Sequence, residues 1–180
     1  MVVIVAVLLA TAPAWGHSFP PARSVVAQVE DRELVVMVGY RPGTGEATAK
    51  VLAQAANAPE SKLRQLRDSL AAIAMAPLLI EVDGHALVPT TVRAKLGVEG
   101  GNQRPLVVVL VTYSLPSGDA IAIRSNDPRN TRISWQDRSH GRVDLTETPA
   151  QDHWADGVAS MLLKLCAGRT RCATATSSVH

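Results

Sequence analysis

From Ser24 to Leu145 the sequence is cut into short apolar or alternating runs, each closed by a turn former, and this punctuation favours a β-rich domain. Ser24–Val29 and Leu34–Tyr40 are two β-branched runs separated by the charged cluster Glu30-Asp31-Arg32-Glu33, the pattern of a hairpin. Arg41-Pro42-Gly43-Thr44-Gly45 ends the second run, because proline brings no N–H and glycine permits a reversal. Leu78–Val82 leads into Asp83-Gly84 and His85, a tight-turn signal ahead of Ala86-Leu87-Val88. Thr90–Val98 alternates, with Val92, Ala94, Leu96 and Val98 on one side and Thr91, Arg93, Lys95 and Gly97 on the other. That is the period of a half-exposed antiparallel strand. Leu106–Tyr113 is the most apolar internal run and is expected at the centre of a sheet. With Ala120–Arg124, Arg132–Gln136 and Arg142–Leu145, seven or eight short strands predict a mainly β fold, an Ig-like antiparallel β-sandwich.

Two segments change period. Thr44 can cap an Ala-rich stretch, Glu46 to Asn57, which Pro59 breaks. Beyond it Leu63, Leu66, Leu70 and Ile73 recur at three- and four-residue spacing, one apolar helical stripe that should end before Pro77. A helical insertion over about 46–76 is therefore expected. Asp152 can cap a C-terminal helix from His153 to about Cys166, with Trp154, Val158, Met161, Leu162 and Leu165 on its apolar face. It is expected to pack on the sandwich, the alternative being a docking helix for a partner.

Met1–Ala10 is uninterrupted apolar sequence, shorter than the roughly 20 residues that span a bilayer and closed by small residues. Ala14 and Gly16 fit positions −3 and −1 of a cleavage site. Residues 1–16 are thus expected to be a signal peptide, 17–168 a single sandwich domain and 169–180 a disordered tail, with an apolar N-terminal strand as the alternative for the first segment. No lysine or arginine precedes the run, so the amino terminus supplies its positive charge. No other run approaches spanning length, so no transmembrane helix is expected after cleavage and the product would be periplasmic or secreted. Cys166 and Cys172 are the two cysteines, and export favours closing them as a local disulfide over two free thiols or a metal site.

Composition narrows the chemistry. Of the 180 residues 47% are apolar and 19% charged, so a packed core is expected rather than disorder. The 18 basic and 16 acidic residues nearly balance, which argues against a nucleic-acid binder. Five aromatic residues follow the first sixteen positions (Phe19, Tyr40, Tyr113, Trp135 and Trp154), too few for a core and a base-stacking platform together. There is neither a phosphate-cradling Gly-rich loop before Lys-Ser or Lys-Thr nor a Gly-x-Ser-x-Gly elbow. Asp137, Ser139 and His140 are sequence neighbours, whereas triad members converge from separate elements, so a polar loop is the simpler reading. Arg124, Arg129, Arg132, Arg138 and Arg142 are interleaved with Asp127 and Asp137, the pattern of a solvated face. No catalytic residue and no cofactor is expected. Cleavage after Gly16 would leave His17 with a free amine and an imidazole. With His85 or His140 it could chelate copper or nickel, the metal-carrier alternative.

His17-Ser18-Phe19, the Ser24–Tyr40 hairpin, the Ala-rich helical stretch and Leu79-Ile80-Glu81-Val82-Asp83-Gly84-His85-Ala86-Leu87 ahead of alternating strands resemble exported sandwich domains of uncharacterised bacterial proteins. The resemblance covers Ser24 to about Leu145, and some such domains precede a HupE/UreJ-type membrane segment. It implies a non-enzymatic domain that binds a protein partner or assists a membrane complex. Those domains often carry an acidic calcium-type loop in the helical part. Here Ala55–Lys62 holds only Glu60, so calcium is not carried over, and no membrane segment follows in this sequence.

Overall fold

The computed structural model describes residues 22–43, 53, 55, 57–99, 104–127, 131–139, 141–148, 152–155 and 159–166. The expected signal segment, His17, most of 44–56, residues 100–103, Arg129, His140, Cys172 and the expected tail lie outside the described residues. The elements are β1 (Arg23–Val29), β2 (Glu33–Tyr40), α1 (Glu60–Met75), β3 (Leu78–Val82), β4 (His85–Ala86), β5 (Pro89–Glu99), β6 (Arg104–Ser114), β7 (Ala120–Ser125), β8 (Thr131–Asp137), β9 (Asp152–Ala155) and β10 (Ala159–Lys164). They form a mainly β structure of two sheets, ordered β5-β6-β2-β1-β8-β9 and β10-β7-β3-β4.

Alternation fixes the faces. β1 and β2 form the expected hairpin, closed where the Glu30 amide donates to the Glu33 carbonyl (2.9 Å). Their register sets Val25 opposite Val38, Ala27 opposite Val36 and Val29 opposite Leu34, all buried. β6 extends the same rows with Val109, Val111 and Tyr113, and β8 does so with Ile133 and Trp135. The second sheet answers with Ile80, Ile123 and Met161 in one row and Val82, Ile121 and Leu163 in the next. Both inner faces and the Ala71–Ala74 side of α1 belong to one hydrophobic cluster. Each fully buried Val, Ile or Leu contributes about 1.5–3 kcal/mol, so these rows are the main favourable term in the fold.

Asp83 (φ 50°) and Gly84 (φ 80°) both take positive φ, as a two-residue hairpin turn between β3 and β4 requires. The Asp83 carboxylate accepts from the amides of Asp119 (3.0 Å) and Ala120 (2.9 Å), fixing this turn to the start of β7. Gly118 makes the approach possible: a Cβ there would lie 2.4 Å from Val82 Cγ1.

Several expectations are corrected. The C-terminal helix is not present. Asp152–Ala155 and Ala159–Lys164 are strands, and β10 pairs with β7. Met161, Leu163 and Leu165 are buried at a period of two, while Leu162 is 46% exposed. The adjacent Met161-Leu162 pair imitates a helical stripe, but pairing with β7 satisfies a row of backbone groups that a helix would leave as an open edge. The arrangement is also not wholly antiparallel, because β1 and β8 pair in parallel with Val25 beside Ile133. β6 lies next to the edge strand β5, and the sheet centre is β2 and β1. Leu106, Val108 and Leu110 give β6 an apolar outer side, which is why its sequence looks central. Arg142–Leu145 is not a strand: only Val143 makes a bridge, to Leu165. The Asp144 carboxylate accepts from the amide (2.9 Å) and hydroxyl (2.6 Å) of Thr146 and turns the chain, contacts that hold its pKa below the ordinary value.

α1 starts after Pro59 and stops before Pro77, as expected, but its buried face is rotated from the leucine stripe. Ala71 and Ala74 are buried, Leu70 and Met75 are partly so, and Ile73 is 50% exposed. Small residues on the contact face let the helix backbone approach β2, β5 and β6 closely.

Candidate functional site

Packing by alanines at its C-terminal half leaves a groove along α1 where its N-terminal half faces β5. One section, of about 500 Å³, is lined by Glu60, Leu63 and Arg67 of the helix, by the buried Ala55 ahead of it and by the five consecutive residues Ala94–Val98 of β5. A second, of about 480 Å³, shares Ala94 and continues past Val92 to Ala71 and Met75. Side chains alternate across a strand, so a groove that touched only one face of β5 would meet every second residue. Contact with five in succession means that the backbone edge of β5 borders the groove. β5 is an edge strand of its sheet, paired only with β6 among the described residues.

The alternation read from sequence is correct in phase. Ala94 and Leu96 pack partly against the core, whereas Val92 (55% exposed) and Val98 (62% exposed) stand open in the groove. Arg93 and Lys95 project from the opposite face, where their β6 neighbours are Leu110 and Val108. Neither makes an ion pair among the described residues. On the helix rim Arg67 and Asp68 pair at 3.5 Å in water, an interaction worth little.

Sequence reading missed one cluster, where Arg23 is buried at the start of β1. Its guanidinium pairs with the buried Asp127 carboxylate, while Nε donates to the Ala74 carbonyl (2.8 Å) and an Nη donates to that of Ile73 (3.4 Å). The Tyr40 ring lies 5.1 Å from the guanidinium carbon. Beside it, the hydroxyls of Ser125 and Thr131 are 3.0 Å apart. These contacts tie β1 to the C-terminus of α1, whose last carbonyls favour a cation, and to the end of β7. The cluster is a structural clasp, its donors turned inward to the protein. Phase was the available signal: Arg23 occupies the same strand face as Val25, Ala27 and Val29.

Other candidates are dispersed. Ser139 is buried, donates its hydroxyl to Asp137 and accepts from the Arg142 amide (2.8 Å), an arrangement that builds a turn. His140 lies outside the described residues, as does His17. His85 is exposed at the start of β4. Among the described residues no group of three or more His, Cys, Asp or Glu could hold a metal ion. Cys166 follows β10, where its amide donates to the Arg142 carbonyl (3.0 Å). Arg124 faces Glu81 at 3.5 Å, whereas Arg142 donates to the carbonyls of Asp31 and Pro116, so these two arginines serve different elements. Among the described residues no helix is long and apolar enough to cross a membrane. Comparison with protein-family models, curated proteins and solved structures finds no match to this chain.

Proposed function

We propose that this chain is an exported, non-enzymatic binding domain that engages a protein partner through the groove between α1 and β5. The observation that carries the reading is the contact of five consecutive β5 residues with an apolar groove. Such a site offers a partner both main-chain hydrogen bonds and side-chain pockets. In this reading the two sheets are the layers of an Ig-like sandwich and α1 is an insertion between β2 and β3. Export rests on the sequence of residues 1–16, with a mature chain starting at His17 and a Cys166–Cys172 disulfide formed outside the cytoplasm.

A photo-crosslinking residue placed at Val98 in cells of the native host tests the surface, with Arg138, an exposed position remote from the groove in sequence, as control. A discrete adduct at Val98 and none at Arg138 is expected. Equal labelling at both positions, or none at Val98, overturns the reading.

A further inference from the structure

We infer that the occupant of this groove is an extended partner segment of alternating apolar and acidic residues, added to β5 as a further strand. The inference rests on the docking reading above and supplies the chemistry of the partner. β5 is long for an edge strand, with eleven residues from Pro89 to Glu99. Long uncovered edges are ready templates for strand addition, and proteins commonly blunt them with bulges, proline or charge. The β5–β6 ladder has its only irregularity between Pro89 and Thr91, leaving a regular register from Thr91 to Glu99.

The two faces of that edge ask for different side chains. On the inner side Val92 and Val98 stand open in the groove beside Leu63 and Met75, so an added strand would place apolar side chains there. On the outer side it would meet Arg93 and Lys95, whose β6 neighbours are apolar and which make no ion pair among the described residues. Opposite charges across a strand pair stabilise and like charges destabilise. Acidic residues at alternate positions therefore complement this edge.

The same charges disfavour a second copy of the chain as occupant. Two β5 strands paired antiparallel over their full length, with both apolar faces on one side, would centre on Ala94. Arg93 of each copy would then face Lys95 of the other, and like charges would oppose twice.

Fluorescence anisotropy of purified protein with synthetic peptides tests this directly. One peptide alternates Glu with Val or Ile, a second replaces every Glu by Lys, and a third is the acidic peptide with its order scrambled. The alternating acidic peptide is expected to bind about tenfold more tightly than the lysine peptide, the size expected when two favourable cross-strand pairs become like-charge pairs. Arg93→Glu combined with Lys95→Glu should invert that ranking. Both positions are exposed, and an unchanged melting curve shows that the variant is folded. N-methylating one alternate set of peptide nitrogens should abolish binding, while methylating the other set leaves it intact, since an edge strand pairs only one side of its partner.

Equal binding of acidic and lysine peptides, retention of the acidic preference in the charge-reversed variant, or insensitivity to both methylated sets overturns the inference. So does the absence of binding up to about 1 mM peptide, the weak end of measurable association. A Val98 adduct in cells together with no peptide binding leaves the groove as a docking site and removes only this assignment of its occupant.

Discussion

β2 and β5 belong to one sheet and alternate with the same period, yet one is sealed and the other open. β2 is flanked by β1 and β6 and sends Leu34, Val36, Val38 and Tyr40 into the shared core. Among the described residues β5 has a neighbour on one side, and its apolar series grades from partly buried Ala94 and Leu96 to open Val92 and Val98. The cations beside them differ in the same way: Arg23 of β1, opposite Tyr40 of β2, is enclosed and hydrogen-bonded, whereas Arg93 and Lys95 of β5 face water. Periodicity sets which side chains share a face, but position in the sheet decides whether that face stabilises the fold or remains free for association.

The comparison breaks most decisively at Val36. Val36→Asp places an unpaired charge among the buried rows and is expected to cost about 4–5 kcal/mol or more, enough to unfold a marginally stable domain. Circular dichroism and urea titration would register the loss, and a native-like transition would contradict the assignment of the core. Asp127→Ala comes next. It leaves the Arg23 guanidinium buried without its carboxylate, at a cost of about 3–5 kcal/mol. Arg23→Met with Asp127→Leu should recover much of that loss in the same titration, since the burial of an unpaired charge is what destabilises.

A third effect depends on pH. Burial raises Tyr113 from its usual value to about 12. Above about pH 10 the unfolded tyrosine ionises while the folded one keeps its proton, so stability present below pH 10 declines as the pH rises to about 12. Allowing for solvent screening, the expected loss is about 1–2 kcal/mol over that window. Tyr113→Phe should flatten this part of the stability–pH curve relative to the parent protein, and identical alkaline slopes would count against the shift. The smallest effect belongs to the open strand. Val98→Asp should change stability by no more than about 0.5 kcal/mol while abolishing acidic-peptide binding. A large loss of stability would mean that the groove is core after all.

Local signals were legible in the sequence. The Ser24–Tyr40 hairpin, the Asp83-Gly84 turn, the end of α1 before Pro77 and the phase of Thr90–Val98 each follow from a few neighbouring residues. Non-local pairing was not. Nothing around Thr131–Asp137 announces a parallel neighbour at Arg23–Val29, and Met161-Leu162 fits a helix until β7 is known to lie beside it. The groove was half legible: the sequence places Val92 and Val98 on one face, but the alanine contact that opens the space beside them depends on how α1 settles. The leucine stripe pointed elsewhere. The Arg23 clasp was readable in principle, as a charge in the apolar phase of a strand.

The parallel pairing of β1 with β8 has a consequence for how the chain is made. During synthesis β1 and β2 emerge early and can zip together at once, but the other side of β1 waits until Thr131–Asp137 exists. The second sheet likewise gains β10 only near the end of the chain. Ladders between such distant segments form slowly, since the intervening chain must first be closed into a loop. A nascent chain is thus held back from its native state until its last described strand, β10, has emerged.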